Sequence, residues 1–459
     1  MTTLAEHMVT VLKNTGVKRI FGYPGGATLD VMEEAHKQGV DFVLTRAEWS
    51  AAYMAAMTGD LSDAPGVVLA TLGPGATNLV NGVSHAYLDR SPMIAITGRP
   101  SLRESRSVHQ RLPQVSLFEH VTKWSTTLTA ESGAFDIRKA VRIAKAERPG
   151  PVHLDLPSDQ PKKPVNPLPE RYDKLAQTVI YGTVEQPDEL ILRLNESRRP
   201  VALVGPGTIR NHASNALRSF VEAWGIPVVT SVKAKGVLDE RHPYWCGVID
   251  MAGAKRIRQF LNECDLIVAI CFDPVELIGA WTIDVPVIHV DLVPDMDCAY
   301  GAEVEVMSNV CGLLEGLAKH PVPGPKWREE DVRRFRVELE SDLVAQLPGI
   351  LPSRVVRAAR EVLPEDTLVV TDTGSHKVLL GQLWSAYSPK TYFVSNGLGT
   401  MGFGLPGAIA AKLVEPNKPV VCFTGDGGFA MVSSELQTAV EKDCKKITYT
   451  GNGIETRLH

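Results

Sequence analysis

The chain has 459 residues, of which 44% are hydrophobic and 22% charged, and its formal net charge at pH 7 is −5. This length exceeds what one ordinary hydrophobic core organises, so two or three domains are expected. Because the charge is slightly negative and no block of Lys or Arg occurs, the composition argues against electrostatic binding of nucleic acid or of a membrane surface.

The first residues and the cysteines indicate a cytoplasmic protein. The amino-terminal segment has neither a basic region nor a long apolar core, so no signal peptide is predicted. No uncharged apolar run is long enough to span a bilayer. The seven cysteines are scattered without a Cys-x-x-Cys pair, which favours reduced thiols over disulfides or a zinc site.

Apolar runs alternate with helical patterns along about the first 160 residues, which predicts a parallel α/β sheet. A proline-rich linker follows, and then a second α/β pattern. In the first part the predicted strands are 19–22, 41–44, 67–71, 93–97 and 152–156, the predicted helices are 4–14, 28–38 and 48–59, and the linker is 158–172.

The alternation continues through the rest of the chain and predicts three α/β domains with doubly wound parallel sheets. The third domain is expected to be incomplete, because the pattern stops soon after its second strand. The later predicted strands are 200–204, 227–230, 266–270, 286–290, 367–371 and 419–424, the predicted helices are 353–363 and 433–440, and a connector is predicted over 311–352.

Loops of small and polar residues follow several of the predicted strands. Such loops let backbone approach a ligand closely, and parallel α/β sheets bind ligands at the carboxyl ends of their strands. Each of these residues, taken alone, could also have a purely structural role. Gly25 could belong to a tight turn, Glu48 could be a favourable charge at a helix start, and His376 could be a structural histidine. The segments are 21–27, 45–52, 71–78, 372–376, 396–407 and 425–427.

In order and spacing these motifs resemble those of thiamine-diphosphate enzymes of the acetolactate synthase type. The resemblance covers residues 4–440 and rests on F-G-Y-P-G-G-A, R-A-E-W, G-P-G-A-T-N, P-G-P-V-H-L-D-L-P, G-L-G-T-M-G-F-G-L-P-G-A and G-D-G. It implies a pyrimidine-binding domain (1–165), a central domain (185–325) and a diphosphate-binding domain (350–459). It further implies thiamine diphosphate, Mg²⁺, a 2-oxo acid substrate such as pyruvate and a place in branched-chain amino acid biosynthesis.

The resemblance also implies a homodimer or homotetramer, with each cofactor between the pyrimidine domain of one chain and the diphosphate domain of another. Glu48 would hydrogen-bond the cofactor's pyrimidine ring and promote removal of its C2 proton, and Met401 would support the bent shape of the cofactor. Gln110 and Gly25 would be further active-site residues, and Asp426 and Asn452 would bind the metal. The implied cofactor-binding residues are Pro74, Asn78, Thr373, Gly374, Ser375, His376, Gly399, Met401, Gly425, Asp426, Gly427 and Gly428.

Several positions depart from the family pattern. Trp49 and Ser158 stand where acetolactate synthases carry Gln and Lys, so another 2-oxo acid decarboxylase or carboligase of the family stays open. Residues 271–276 replace the Arg-containing signature of the flavin-bearing members, so FAD is not expected.

The metal-binding end of the pattern departs as well. Asn452 lies one position early for the second metal ligand, which falls on Gly453. A truncation or a change of frame after about residue 441 is therefore expected, together with weak cofactor binding and poor or no turnover. A non-catalytic remnant that acts only in assembly is the alternative from a different class.

Overall fold

The computed structural model describes residues 1–104, 109–166, 188–320, 322–344, 351–444, 447–451 and 454–457. The chain divides into two compact units, one formed by Met1–Thr178 with Gly397–His459 and the other by Val179–Asn396. Across the described ranges, no helix has both the length and the hydropathy needed to cross a membrane.

The first unit opens with six helices that alternate with six strands. They are α1 (Leu4–Asn14), β1 (Arg19–Gly22), α2 (Leu29–Lys37), β2 (Asp41–Leu44), α3 (Glu48–Leu61), β3 (Gly66–Ala70), α4 (Pro74–Leu88), β4 (Met93–Arg99), α5 (Gln114–Glu119), β5 (Trp124–Thr127), α6 (Gly133–Lys145) and β6 (Pro151–Pro157). The strands form one sheet in the order β2-β1-β3-β4-β6-β5, and every neighbouring pair is parallel.

Helices cover both faces of this sheet, and its central strands β3 and β4 are apolar apart from the last residues of β4. Successive side chains of a strand point to opposite faces. Val67, Leu69, Ile94 and Ile96 therefore share one face, where they belong to a buried cluster that includes Met8 of α1. Burying a side chain of this size stabilises the fold by about 1.5–3 kcal/mol. The continuous apolar strands are those expected of a parallel sheet buried on both sides.

The second unit also begins with a parallel sheet. Its elements are α7 (Asp188–Glu196), β7 (Pro200–Val204), α8 (Gly207–Arg210), α9 (Ser214–Trp224), β8 (Val228–Ser231), β9 (Trp245–Ile249), α10 (Ala254–Asn262), β10 (Leu266–Ile270), β11 (Val287–Asp291), β12 (Val304–Met307), α11 (Val310–Lys319) and α12 (Glu329–Leu343). The strand order is β12-β11-β10-β7-β8-β9, again with parallel neighbours.

The predicted connector over 311–352 is wrong, because α12 and nearly all of α11 lie in this stretch. Both helices begin with recognisable start signals, but the prolines in this stretch favoured the prediction of a connector. The Asn309 side chain accepts a hydrogen bond from the Gly312 N–H, and the first turn of α12 contains three acidic residues. Strands β5, β9 and β12 were not predicted either. Two of them, β5 (W-S-T-T) and β12 (V-E-V-M), are short and partly polar, so they carry a weak strand signal.

A third sheet has five strands and is the smallest of the three. In the second unit, β13 (Leu368–Thr371) and β14 (Tyr392–Val394) pair in parallel. In the first unit, β15 (Val420–Phe423) and β16 (Ile447–Gly451) pair in parallel, and β17 (Ile454–Arg457) pairs antiparallel with β16. Only two residues separate β16 from β17, and so short a connection permits antiparallel pairing alone. The remaining elements are the helices α13 (Pro352–Val362), α14 (Ser375–Leu383), α15 (Gly404–Val414), α16 (Asp426–Val432) and α17 (Glu435–Glu441).

Three α/β domains built on parallel sheets, as predicted, are thus present. The helix predicted at 433–440 is preceded by α16, which begins directly at Asp426. In the first unit, α3 packs closely against α4. A Cβ atom on Gly82 of α4 would lie 2.3 Å from the Ala52 Cβ of α3, so the helices meet at a distance that only glycine allows.

Candidate functional site

Glu48 is the first residue of α3 and follows the carboxyl end of β2. Its Oε2 accepts a hydrogen bond of 3.0 Å from Asn78 Nδ2 of α4. A Cβ atom on Gly75 would lie 2.8 Å from Thr71 Cγ2 and 3.4 Å from Glu48 Oε1. The carboxylate therefore lies against the first turn of α4, at a helix start where negative charge is favoured.

Gly25 and Gln110 reach the same edge of the first sheet. A Cβ atom on Gly25 would lie 2.3 Å from Thr71 Cβ, so the Pro-Gly-Gly turn has no room for a larger residue. Gln110 is exposed and has a φ of 60°, and a Cβ atom on Gly73 would lie 2.7 Å from its Cβ. Pro74 begins α4 and is exposed. The structure thus brings three of the predicted segments, and Gln110, together where β1, β2 and β3 end.

Sequence reasoning missed Glu435, which caps the start of α3. Ala47 at the N-cap supplies no side-chain hydrogen bond. Glu435 Oε1 instead accepts from the backbone N–H groups of Arg46 and Ala47 at 2.9 and 3.1 Å. Burial raises the pKa of Glu435, and hydrogen bonds from these groups and from Thr438 oppose that rise. Because Glu435 lies 389 residues from Arg46, no local sequence pattern indicates that it accepts these hydrogen bonds.

Sequence reasoning also missed a buried polar network behind the turn at Gly73. Gln114 contacts Gly73 and Asp155, and Arg99 Nη1 lies 2.8 Å from Asp155 Oδ2. Burial raises the pKa of Asp155 to about 6, against the opposing effect of Arg99. His153, stacked on Phe118, is fully buried, and this lowers its pKa to about 3. In the sequence, Gln114 and Asp155 look like any polar residues among apolar ones, so no pattern predicts such a network.

Within the first unit, the loop before α15 is fastened to α3 and α4. Asp89 accepts from the backbone N–H groups of Gly397 and Leu398 at 3.3 and 3.4 Å. Thr400 Oγ1 lies 2.9 Å from the Tyr53 hydroxyl. Gly399, with a φ of 63°, supplies the left-handed turn between these contacts.

The loop that ends β15 lies beside the preceding one. A Cβ atom on Gly427 would lie 2.9 Å from Met401 Cε, so the methionine lies against this glycine. Asp426 is exposed at the start of α16, with Gly425 at the N-cap and Gly428 buried behind it. Asn452 lies outside the described residues. Within the described ranges, no three His, Cys, Asp or Glu side chains converge as a metal site.

In the second unit, the loop after β13 contains two buried polar atoms without partners. Neither Thr373 Oγ1 nor His376 Nε2 has a hydrogen-bond partner among the described residues. Burial lowers the pKa of His376, and the charge and backbone of Asp372 partly oppose this. Asp372 Oδ1 accepts from the Thr373 N–H at 2.7 Å, which shapes the turn, and Ser375 begins α14.

The loop after β13 fits a diphosphate, and Asp426 of the first unit has, by itself, the chemistry of a magnesium ligand. A hydroxyl, an imidazole nitrogen and the free N–H groups of a helix start are groups that bind phosphate oxygens. A Cβ atom on Gly374 would lie 2.7 Å from His376 Cε1, so the loop has room only for glycine there. Mg²⁺ usually takes one or two carboxylates together with phosphate oxygens and water, which suits Asp426.

Comparison with known proteins agrees with this geometry. The descriptions "Thiamine pyrophosphate enzyme, N-terminal TPP binding domain", "central domain" and "C-terminal TPP binding domain" match residues 2–120, 188–317 and 372–450. These matches define the class as thiamine diphosphate enzymes.

Three relatives narrow the class further. The "Probable acetolactate synthase large subunit" of Methanocaldococcus jannaschii is 34% identical over 96% of this chain and 78% of its own length. The acetolactate synthase isozyme 2 large subunit of Escherichia coli is 32% identical, over 95% of this chain and 80% of its own. The acetolactate synthase large subunit of Lactococcus lactis is 30% identical, over 95% and 78%. The chain therefore belongs to the acetolactate synthase large-subunit family and is a thiamine diphosphate-dependent carboligase of this type.

Proposed function

We propose that the chain converts two molecules of pyruvate, with uptake of one proton, into 2-acetolactate and CO₂, using thiamine diphosphate and Mg²⁺. The contact of Glu48 with Asn78 against the first turn of α4, in a chain of this family, carries the proposal. When bound, thiamine diphosphate supplies the carbon nucleophile for cleaving and forming bonds next to a carbonyl.

Glu48 would exchange a proton with a nitrogen of the pyrimidine ring. Asn78 donates a hydrogen bond to one carboxylate oxygen, which orients the side chain. Gly75 keeps the backbone of α4 close to the other oxygen. Pro74 would lie beside the ring, and Met401 would support the bent shape of the cofactor. Gln110 and Gly25 would face the substrate.

The loops 372–376 and 425–428 would hold the diphosphate. His376 would donate from Nε2 when protonated, a state that a neighbouring diphosphate favours because of its negative charge. Asp426 would bind Mg²⁺, and we assign Asn452 to the same ion. Gly399 would let the loop before α15 approach the phosphates. FAD is not required in this proposal, because residues 271–276 lack the Arg-containing signature.

The working assembly would be a homodimer or homotetramer, with domains at 1–165, 185–325 and 350–459. The support for the assembly is the resemblance to the family. Size-exclusion chromatography with light scattering on the purified chain tests it, and a monomer at micromolar concentration would overturn it.

The decisive experiment is a titration of the purified chain with thiamine diphosphate, with and without Mg²⁺, followed by product analysis on pyruvate. We expect weak but Mg²⁺-dependent binding, and acetolactate as the product of any turnover. No binding at millimolar cofactor would overturn the proposal.

The second candidate is a related decarboxylase or carboligase with a different product. Trp49 lies directly beside Glu48, and Ser158 is exposed beyond the end of β6. Both differ from the residues that the resemblance implies for acetolactate synthesis. Acetaldehyde, or a mixed product with a second carbonyl compound, would favour this candidate.

A further inference from the structure

A buried amide links the turn below Glu48 to the interior of the first sheet. The Gln114 side chain, at the start of α5, is 1% exposed. Its Oε1 accepts from the Gly73 N–H at 3.3 Å, and its Nε2 lies 2.8 Å from both Gly98 O and Asp155 Oδ1. Because a backbone N–H only donates and a carbonyl only accepts, these partners fix the orientation of the amide.

The partners of this amide are themselves held in place. Asp155 Oδ2 accepts from Arg99, which also donates to Thr127. Thr97 Oγ1 lies 2.9 Å from Gln114 Nε2 and 2.8 Å from His153 Nε2. Each of these bonds is costly to break, because a buried polar group left unpaired destabilises the fold by about 1–3 kcal/mol. The network therefore favours a single position of the amide.

The Gln114 amide holds the backbone at the start of α4, the helix whose first turn lies against Glu48. Gly73 has a φ of 63° and is the N-cap of α4. Two residues later, a Cβ atom on Gly75 would lie 3.4 Å from Glu48 Oε1, and Asn78, one turn further on, donates to the carboxylate. An anchor on the Gly73 N–H thus sets where the first turn of α4 lies, and that turn sets the surroundings of Glu48.

We propose that Gln114 is a positioning residue for the Glu48 carboxylate, acting through the Gly73 turn. The inference rests on the proposed role of Glu48 in thiamine diphosphate chemistry. Gln114 itself touches neither cofactor nor substrate in this proposal. Its effect is on the geometry of proton transfer, where a displacement of about 1 Å costs roughly 100-fold in rate.

The test compares Gln114→Met with Gln160→Met in the full chain. Methionine keeps the length of glutamine and removes its hydrogen bonds. Gln160 is a suitable control because it is buried in the same unit, accepts from the Ala130 N–H and donates to Asp159. Three quantities are measured, namely amide hydrogen exchange of the peptide containing Gly73 without cofactor, the dissociation constant of thiamine diphosphate with Mg²⁺, and deuterium exchange at the cofactor's C2.

For Gln114→Met we expect amide exchange at Gly73 to rise about tenfold or more, and C2 exchange to fall about tenfold or more. The dissociation constant should stay within about threefold, because the diphosphate is bound elsewhere. Gln160→Met should match the wild type in all three. Should Gln114→Met fail to fold, Gln114→Asn is measured instead, with the same expected directions.

Two failures are distinguishable. A wild type without Mg²⁺-dependent binding overturns the proposed function, and this inference with it. A wild type that binds cofactor overturns the inference alone if C2 exchange in the Gln114 variant is unchanged, or if it falls equally in the Gln160 variant.

Discussion

The edge of the first sheet and the loop after β13 differ in whether their buried polar groups have hydrogen-bond partners among the described residues. Around Gln114, the amide, the Thr97 hydroxyl and the Asp155 carboxylate all have protein partners within 3.3 Å. In the loop, Thr373 Oγ1 and His376 Nε2 are buried without a partner among the described residues. The first region is ordered by its own hydrogen bonds, whereas the second contains buried polar groups that remain available to a ligand.

This difference indicates that the first region positions catalytic groups and that the second binds the cofactor. A satisfied network costs free energy when it is disturbed, so variants there should change stability and the geometry of catalysis. An unsatisfied buried group already costs about 1–3 kcal/mol, which binding of a diphosphate would offset. Variants in the loop should therefore change cofactor affinity more than folding.

The largest effect is expected for Glu48→Gln. The amide keeps the size of the side chain but cannot exchange a proton as a carboxylate does, so C2 exchange of bound cofactor should fall by about 10²–10⁴-fold. Cofactor affinity and the unfolding midpoint should change little. Glu6→Gln is the control, because Glu6 caps α1 in the same unit and should change stability alone. Undiminished C2 exchange in the Glu48 variant would remove Glu48 from the proposed mechanism.

The next effect is expected for His376→Phe. Phenylalanine fills the buried volume of the ring without a nitrogen at the Nε2 position. A hydrogen bond to a charged group contributes about 1.5–3 kcal/mol, so the dissociation constant of thiamine diphosphate should rise about 10- to 100-fold. Calorimetric titration in saturating Mg²⁺ measures it.

His320→Phe serves as the control for that titration. His320 stacks on Trp224 in the same unit, so its replacement should leave the dissociation constant unchanged. Equal loss of affinity in both variants would mean that His376 acts through the fold rather than through the diphosphate.

Local sequence patterns predict the strand ends well and the contacts behind them poorly. The bounds predicted for β1, β2 and α1 agree with the structure, because each is a short apolar or amphipathic run with clear flanking residues. The nearness of Glu48 to Asn78 follows from the same logic, since both lie just after strands that end at one edge.

Contacts between distant parts of the chain follow another logic. Gln114 lies 41 residues from Gly73, and Glu435 lies 389 residues from Arg46. A buried glutamine or glutamate has no periodic signal of its own. Its role depends on which backbone groups the fold leaves unpaired, and a single sequence does not display them.

A pH experiment tests whether the Gln114 network titrates as its burial implies. Burial lowers the pKa of His153 to about 3, below the ordinary 6.5, so the unfolded chain binds its proton first. Stability should therefore fall as pH drops from about 6.5 towards 3, by up to about 1.4 kcal/mol per pH unit. Asp155, with its pKa raised to about 6 from an ordinary value of 3.8, acts oppositely and destabilises as pH rises from about 4 to 6.

His153→Gln separates the two contributions, because glutamine does not titrate and can still reach Thr97 and Ser125. Between pH 4 and 6 the wild type should show a shallow profile, as the two groups oppose each other. The variant should lose stability as pH rises through this window. Urea unfolding midpoints at several pH values measure it, and parallel profiles for the two proteins would contradict the burial argument.

The smallest effect, and the most direct test of the comparison, comes from two matched threonines. Thr97→Val removes a hydroxyl that contacts Gln114 and His153, so it should cost about 1–3 kcal/mol of unfolding free energy. Thr373→Val removes a buried hydroxyl that has no partner in the described structure, so without cofactor the unfolding free energy should not fall, and it should rise by up to about 1–3 kcal/mol. Cofactor affinity should instead fall about two- to tenfold, the contribution of one hydrogen bond. Because the substitution is isosteric at both sites, packing is held constant and only the partners differ. If both variants lose stability equally in the absence of cofactor, Thr373 is a structural residue, and the distinction between a self-ordered edge and a ligand-ordered loop fails.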